Sequence, residues 1–176
     1  MMKRLFTIDM QDYNPAWPHS TRPSVRAIIF RDGKLALVHN GKHDYYMFPG
    51  GGIEEGESHA EALIREVKEE SGLVVIPESI REFGAALRLS RSRRFENTVF
   101  EQENYYYLCE AKEDAVAAEL DSHEIEEQYS LVFVTLQEAI RKNRNDDHGE
   151  ERDTVWIQRE TRVMELLLEE IERKES

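Results

Sequence analysis

Gly51-Gly52-Ile53-Glu54-Glu55-Gly56-Glu57 and, after seven intervening residues, Arg65-Glu66-Val67-Lys68-Glu69-Glu70-Ser71-Gly72-Leu73 decide how this chain is read. The glycines let a backbone turn sharply and come close to a ligand or ion, with no Cβ in the way. Ser58 and Glu61 have capping-box spacing, and Gly72 sits where a helix end favours glycine, so a helix is predicted from Ser58 to Gly72. On it Glu66, Glu69 and Glu70 stand at i, i+3 and i+4 and project from one face. On a solvated face the repulsion among them costs only a few tenths of a kcal/mol per pair, roughly. A hard divalent cation turns the same crowding into a binding site. Ala60, Leu63, Ile64 and Val67 fall on a different arc, about 120° away by the helical period, and are expected to pack on a sheet.

Outward from this segment, Ser24 to Arg31, the dipeptide Asp32-Gly33 and Lys34 to His39 read as a β-hairpin. Ile80 to Leu89, Val99 to Cys109 and Leu131 to Val134 are further strand candidates, followed by a short helix from Leu136 to Asn143. A charged loop, Arg144 to Glu150, leads to a terminal helix whose stripe is Trp156, Val163, Leu167 and Ile171. The pattern is α+β: a mixed sheet with few helices. One domain is expected over residues 1–176, with its core at about 22–143, an N-terminal extension at 1–21 and the C-terminal helix at about 151–174.

The 36 acidic and 23 basic side chains give a net charge of -13, which argues against extended nucleic-acid binding and suggests that cations screen an anionic substrate. Many of these acids, such as Glu165, Glu169, Glu170 and Glu172, read as a solvated helix face. There is no run of roughly 18 to 20 apolar residues and no signal-peptide pattern, so a cytoplasmic protein with no membrane contact is expected. Cys109 reads as a buried structural thiol. His39, His43, His59, His123 and His148 have no zinc-like spacing; His123 is the one nearest the suspected site. Tyr45, Tyr46 and Phe48 read as anchors ahead of the tight loop, and the alternating Tyr105-Tyr106-Tyr107 as core residues, one of which could line a cleft.

The complete string from Gly51 to Leu73 resembles the Nudix box without departure: Gly, Glu, Arg-Glu, an aliphatic, Glu-Glu, Gly and an aliphatic at the family's spacings. Chance agreement is on the order of 10⁻¹⁰ per start position, which removes the reading of a merely solubilising Glu-rich helix. Phe48-Pro49-Gly50 resembles the family's lead-in, and Phe133 to Ala139 its last core strand and following helix. The resemblance implies a Nudix fold, a mixed β-sheet sandwiched between helices, here with an additional C-terminal helix. It implies a pyrophosphohydrolase that cleaves a phosphate-phosphate bond in a nucleoside diphosphate linked to another moiety, using Mg²⁺ or Mn²⁺ and metal-activated water. Glu66, Glu69 and Glu70 then resemble the metal-binding and catalytic carboxylates, with the Gly50 carbonyl as a further ligand, and Glu57 with Arg65 the structural pair that braces loop against helix. A Nudix-fold diphosphate isomerase and a non-catalytic nucleotide sensor are the alternatives. The resemblance leaves the substrate open among nucleoside triphosphates, nucleotide sugars, dinucleoside polyphosphates and RNA ends, and it allows a homodimer.

Two further groups are singled out. In this family an acid ahead of the last core strand commonly completes the metal cluster, and Glu124, Glu126 and Glu127 lie there, Glu127 being the first choice by its count back from that strand. The basic run Arg88, Arg91, Arg93, Arg94, with Phe95, is expected in a hairpin loop, where Arg91, Arg93, Arg94 and Phe95 could bind the part of the substrate that metals do not. The plainer alternative is a solvated loop pairing with surface acids.

Overall fold

The structure is a computed structural model that describes residues 1–146, 148 and 154–176. In chain order its elements are β1 (Arg4–Asp9), β2 (His19–Thr21), β3 (Ser24–Ile28), β4 (Phe30–Arg31), β5 (Lys34–Asn40), β6 (Tyr45–Met47), β7 (Gly50–Gly52), α1 (His59–Ser71), β8 (Arg81–Arg91), β9 (Val99–Leu108), α2 (Ser122–Glu126), β10 (Tyr129–Val134), α3 (Leu136–Asn145) and α4 (Thr154–Glu175).

The predicted hairpin forms where Asp32 and Gly33 take φ of 52° and 74°, the two positive values that a tight turn between twisted strands requires. The expected strand Ser24–Arg31 nevertheless divides at Ile29. Its first part, β3, runs parallel to β9 and antiparallel to β7, whereas β4 pairs with β5. Two sheets result, one in the order β1-β8-β9-β3-β7 with β2 also on β9, the other built on β5 with β10, β4 and β6. The N-terminal extension takes part in the first sheet, because β1 lies parallel on β8 and Phe6 enters the core.

Period-two alternation then sorts the core into layers. Val25, Ala27, Ile29 and Ala36 face α1, where Ala62, Leu63, Val67 and Leu73 meet them. Ile28, Leu35 and Leu37 face the opposite way, onto Leu136 and Ala139 of α3 and Val163, Met164 and Leu167 of α4. The sheets therefore lie between helices, as the α+β reading expects.

Helix α1 begins and ends as predicted. Ser58 and Glu61 exchange both capping bonds, and Gly72 closes the helix in the left-handed region at φ 77°. The expected apolar arc needs one correction: Leu63, Ile64 and Val67 pack on the sheet, but Ala60 is exposed and Ala62 supplies a buried contact in its place. Helix α4 shows a second difference. Val163, Leu167 and Ile171 pack on the sheet as expected, but Trp156 lies off this core and lines a cleft. The proposed helix start at about residue 151 and three residues of the charged loop, 147, 149 and 150, lie outside the described residues.

These placements have a direct test. Ala62→Leu should overpack the α1 layer and lower unfolding free energy by about 1–3 kcal/mol, while Ala60→Leu should stay within about 0.5 kcal/mol of wild type. Urea unfolding midpoints at constant m-value would check both.

Candidate active site

The loop after β6 and the exposed side of α1 meet at one end of the first sheet. Close backbone approach is what the glycines permit. A Cβ on Gly50 would lie 2.0 Å from the Val25 carbonyl oxygen, and one on Gly51 would lie 2.3 Å from the Glu66 carboxylate. The missing Cβ at Gly50 lets β7 lie against β3, and that at Gly51 leaves the Glu66 carboxylate its place over the strand.

Arg65 braces this arrangement. Its Nε donates to Glu57 Oε1 at 2.7 Å and its Nη2 to Glu57 Oε2 at 2.8 Å, a bidentate pair, while the same Nη2 reaches the Gly52 carbonyl at 3.1 Å. Nη1 donates to Glu66 Oε1 at 2.8 Å and to Glu69 Oε2 at 3.4 Å. The guanidinium thus joins the loop to two of the box carboxylates, and it holds the Glu57 carboxyl down at about 2.

Glu70 differs from the other two acids. It is buried, accepts a hydrogen bond from the Gly50 N–H at 3.3 Å, and has a carboxyl pushed up to about 8. Burial is the main cause; the Arg26 charge opposes it, and the Glu124 and Glu66 charges add to it. Glu66 and Glu70 line one cleft of about 250 Å³ together with Gly50, Gly51, Glu124 and His123. Glu69 stands at the rim: its side chain is 41% exposed and faces a separate groove beside Lys68 and Glu119.

Of the three acids ahead of the last strand, the structure brings Glu124 to this cleft. Burial and the nearby acids Asp121, Glu66 and Glu69 raise its carboxyl. Glu127, the first choice from sequence, is engaged elsewhere. Asn40 Nδ2 donates to it at 2.9 Å and Lys42 Nζ at 3.1 Å, and these bonds outweigh burial and lower its carboxyl. The physical reason is the turn of α2: Asp121 caps it, so Glu124 falls on its cleft side, and Glu127 is the closing residue that packs on the loop after β5.

The cleft also has a basic lining, and the sequence reading does not identify it. Arg22, Arg26 and Arg159 form it, with Gln102 and Trp156. Arg26 Nη1 donates to the Phe48 carbonyl at 3.1 Å, and the Nε–H groups of Arg26 and Trp156 are buried with no hydrogen-bond partner among the described residues. Arg159 belongs to a buried network. Its Nη2 lies 3.0 Å from Glu160 Oε1, its Nε donates to the Tyr106 hydroxyl at 3.1 Å, and that hydroxyl donates to Glu160 at 2.7 Å. Glu160 Oε2 accepts the Phe48 N–H at 2.7 Å. A signal for this lining did exist in the sequence. Glu160 lies three residues before Val163, so a charge falls on the apolar stripe of α4, and Arg26 interrupts an otherwise apolar strand.

The remaining expectations divide. Tyr45 and Phe48 are buried anchors, and Tyr106 is a core residue bound to Glu160. Tyr105 stacks on His59, whose Nδ1 lies 2.7 Å from the Tyr107 hydroxyl, on the far side of the strand from the cleft. Cys109 is buried and its thiol is pushed up to about 12, in keeping with a structural role. Arg91, Arg93, Arg94 and Phe95 line a second pocket that shares Arg22, Phe100 and Trp156 with the cleft.

Oxygen donors from Glu66, Glu70, Glu124 and the Gly50 backbone suit a hard divalent cation. Among the described residues no three acids, histidines or cysteines are already drawn to metal-ligand spacing. Glu66 is held by Arg65 and Glu70 by the Gly50 N–H, so gathering them requires changes of rotamer.

Comparison with known proteins follows the same lines. The family model for the NUDIX domain matches residues 20–157. The chain is 36% identical over 69 residues to an RNA pyrophosphohydrolase of Xanthomonas campestris pv. campestris (strain B100), covering 39% of this chain and 33% of that protein. An RNA pyrophosphohydrolase of Stenotrophomonas maltophilia (strain K279a) matches at 36% over 69 residues, covering 39% of this chain and 32% of the relative. The match thus spans about a third of the length of these curated relatives. Among solved structures, a NUDIX hydrolase from Nitrosomonas europaea superposes with a TM-score of 0.54 at 19% identity, covering 80% of this chain and 88% of that one. A MutT NUDIX hydrolase from Burkholderia pseudomallei gives a TM-score of 0.51 at 15% identity, covering 80% and 98%. These two likenesses concern the fold.

Two outcomes follow from the bracing network. Because the Glu57 carboxyl is depressed by Arg65, its contribution to stability is present above about pH 4.5, the unfolded value, and is lost as pH falls toward 2. The stability difference between wild type and Glu57→Gln should therefore shrink across that window, read from urea unfolding at a series of pH values. Glu160→Ala leaves Arg159 buried without its carboxylate and should cost about 3–5 kcal/mol in the same assay.

Proposed function

The chain belongs to the NUDIX family, and on that premise we propose that it is a divalent-cation-dependent pyrophosphohydrolase acting on a nucleotide derivative, with water as the nucleophile. One observation carries the reading: acids from α1 and α2 and arginines from β3 and α4 line a single cleft. A pyrophosphate needs both. Its bridging and terminal oxygens carry charge that arginines can bind bidentately, and the carboxylates supply a place for a cation against the same anion.

Glu66, Glu70, Glu124 and the Gly50 carbonyl would hold Mg²⁺ or Mn²⁺, with Glu69 reaching in from the rim by a change of rotamer. When bound, the cation would polarise phosphoryl oxygens and lower the pKa of a coordinated water toward neutrality. The chain's own contributions are positional. Arg65 fixes Glu66 and the loop, and Arg26 and Arg159 orient the phosphates. The pocket around Arg91, Arg93, Arg94 and Phe95 receives the part of the substrate that is not cleaved. The partial likeness to RNA pyrophosphohydrolases is in keeping with a pyrophosphate attached to a nucleotide. No helix among the described residues is long and apolar enough to cross a membrane, and a nucleotide substrate fits a cytoplasmic site of action.

On a panel of nucleoside triphosphates, nucleotide sugars, dinucleoside polyphosphates and 5′-triphosphorylated RNA, Glu70→Gln should lower turnover of the best substrate by at least about 100-fold, and chelation should abolish it reversibly. Glu124→Gln should lower kcat by about 10-fold or more, whereas Glu127→Gln should lower the unfolding midpoint and leave kcat near wild type. Wild-type rates in both Glu70→Gln and Glu69→Gln would refute the mechanism, and a normal Glu124→Gln enzyme would return that acid to the ordinary surface.

A further inference from the structure

Beside the cleft lies a second pocket of about 400 Å³, and where the first is lined by both signs of charge, this one is lined by positive charge alone among the described residues. Five arginines, Arg22, Arg88, Arg91, Arg93 and Arg94, line it, and among the described residues no carboxylate does. In a chain of net charge -13 this is a concentrated exception. Among the described residues Arg22, Arg91 and Arg94 make no ion pair with an acid. Arg91 lies over the Trp17 ring at 5.8 Å and Arg94 over Phe95 at 5.2 Å, contacts that orient a guanidinium and leave its donors available. Asp12 is close by, but its carboxylate accepts the backbone N–H of Arg91 at 2.7 Å.

The pocket floor is sheet. In the β8–β9 register Arg88 stands opposite Gln102 and Ser90 opposite Phe100, and Ser20 of β2 pairs with Phe100 from the other side. Alternation therefore places Arg88, Ser90 and Ser92 on the same face as Phe100 and Gln102, the face that continues into the cleft. Arg88, Ser90 and Ser92 are buried, so this floor is fixed by packing. Between the two anion-binding regions the shared wall is made of Arg22 and two aromatic residues, Phe100 and Trp156. An apolar ring flanked by two phosphate sites has the layout of a nucleoside phosphorylated at both ends.

We propose that the second pocket binds a phosphate group that the substrate carries beyond the nucleoside attached to its pyrophosphate. The assignment of the cleft to the pyrophosphate rests on the pyrophosphohydrolase reading, whereas the second phosphate site rests on the pocket itself. A 3′-phosphomonoester and a 3′-linked phosphodiester present the same chemistry to the arginines.

Both tryptophans of the chain, Trp17 and Trp156, adjoin this pocket, so intrinsic fluorescence reports its occupancy without a label. With the full-length protein in chelator at low salt, adenosine 3′,5′-bisphosphate or the dinucleotide pApA should bind at least about 10-fold more tightly than adenosine 5′-monophosphate, and the advantage should shrink as salt rises. Preference for the bisphosphate identifies a small nucleotide; preference for pApA identifies an oligonucleotide end. Arg91→Ala/Arg94→Ala, and separately Arg94→Glu, should bring the affinities together while circular dichroism and the thermal midpoint stay near wild type. Equal affinities for all three ligands in wild type would overturn the proposal, as would a preference that survives in both variants. Hydrolysis of the whole panel of nucleoside triphosphates, nucleotide sugars, dinucleoside polyphosphates and 5′-triphosphorylated RNA with Mg²⁺, assayed in parallel, separates the two readings. Its absence would refute the enzyme and leave the binding result standing; turnover without any binding preference would do the reverse.

Discussion

The carboxylate of Glu160 joins three parts of the molecule that no other single group connects among the described residues. It accepts from the Phe48 N–H just ahead of the glycine strand, from the Tyr106 hydroxyl in the middle of the first sheet, and from its own neighbour Arg159. All of these partners are buried, so each bond forms where water cannot substitute for it. Where α4 meets the segment before Gly50, this side chain adds a polar link to the apolar packing of Val163, Met164 and Leu167, and it holds Arg159 in its place in the cleft. Arg65 plays the corresponding part on the acidic side, but at the surface, where screening weakens each bond and number compensates.

The two anchors explain why the cleft carries both signs of charge. Around α1 burial, with the neighbouring acids adding to it, raises the Glu70 and Glu124 carboxyls; elsewhere in the cleft, arginines are held by carbonyls, amides and rings. Crowding like charges is unfavourable for the folded chain alone. It becomes favourable with ligands of the opposite sign, so the stability of this end of the molecule is coupled to what it binds.

Local signals made the sheet plan and α1 legible in the sequence. The capping box, the Asp32-Gly33 turn and the apolar alternation each fix a few residues without reference to the rest of the chain. Long-range contacts were not legible. The division of Ser24–Arg31 at Ile29 depends on β9 being parallel to β3, and the choice between Glu124 and Glu127 depends on where α2 lands. Counting along the sequence selected Glu127 because the count carries no rotation; α2 brings Glu124 to the cleft, and Glu127, its closing residue, is bound by Asn40 and Lys42. The basic run from Arg88 to Arg94 was visible as composition, but its junction with the cleft comes from Trp156 and Phe100, residues remote from it in sequence.

Helix α4 has a consequence for the order in which the protein is made. Chains emerge from the ribosome from the N-terminus, and β7, α1 and α2 all precede α4. A nascent chain that has reached α3 already carries Glu66, Glu70 and Glu124, while Arg159, Trp156 and the carboxylate that steadies Phe48 are still missing. At that stage the growing molecule has the acids and two of the three cleft arginines, Arg22 and Arg26, and the lining of the cleft is completed only when Arg159 and Trp156 arrive with α4.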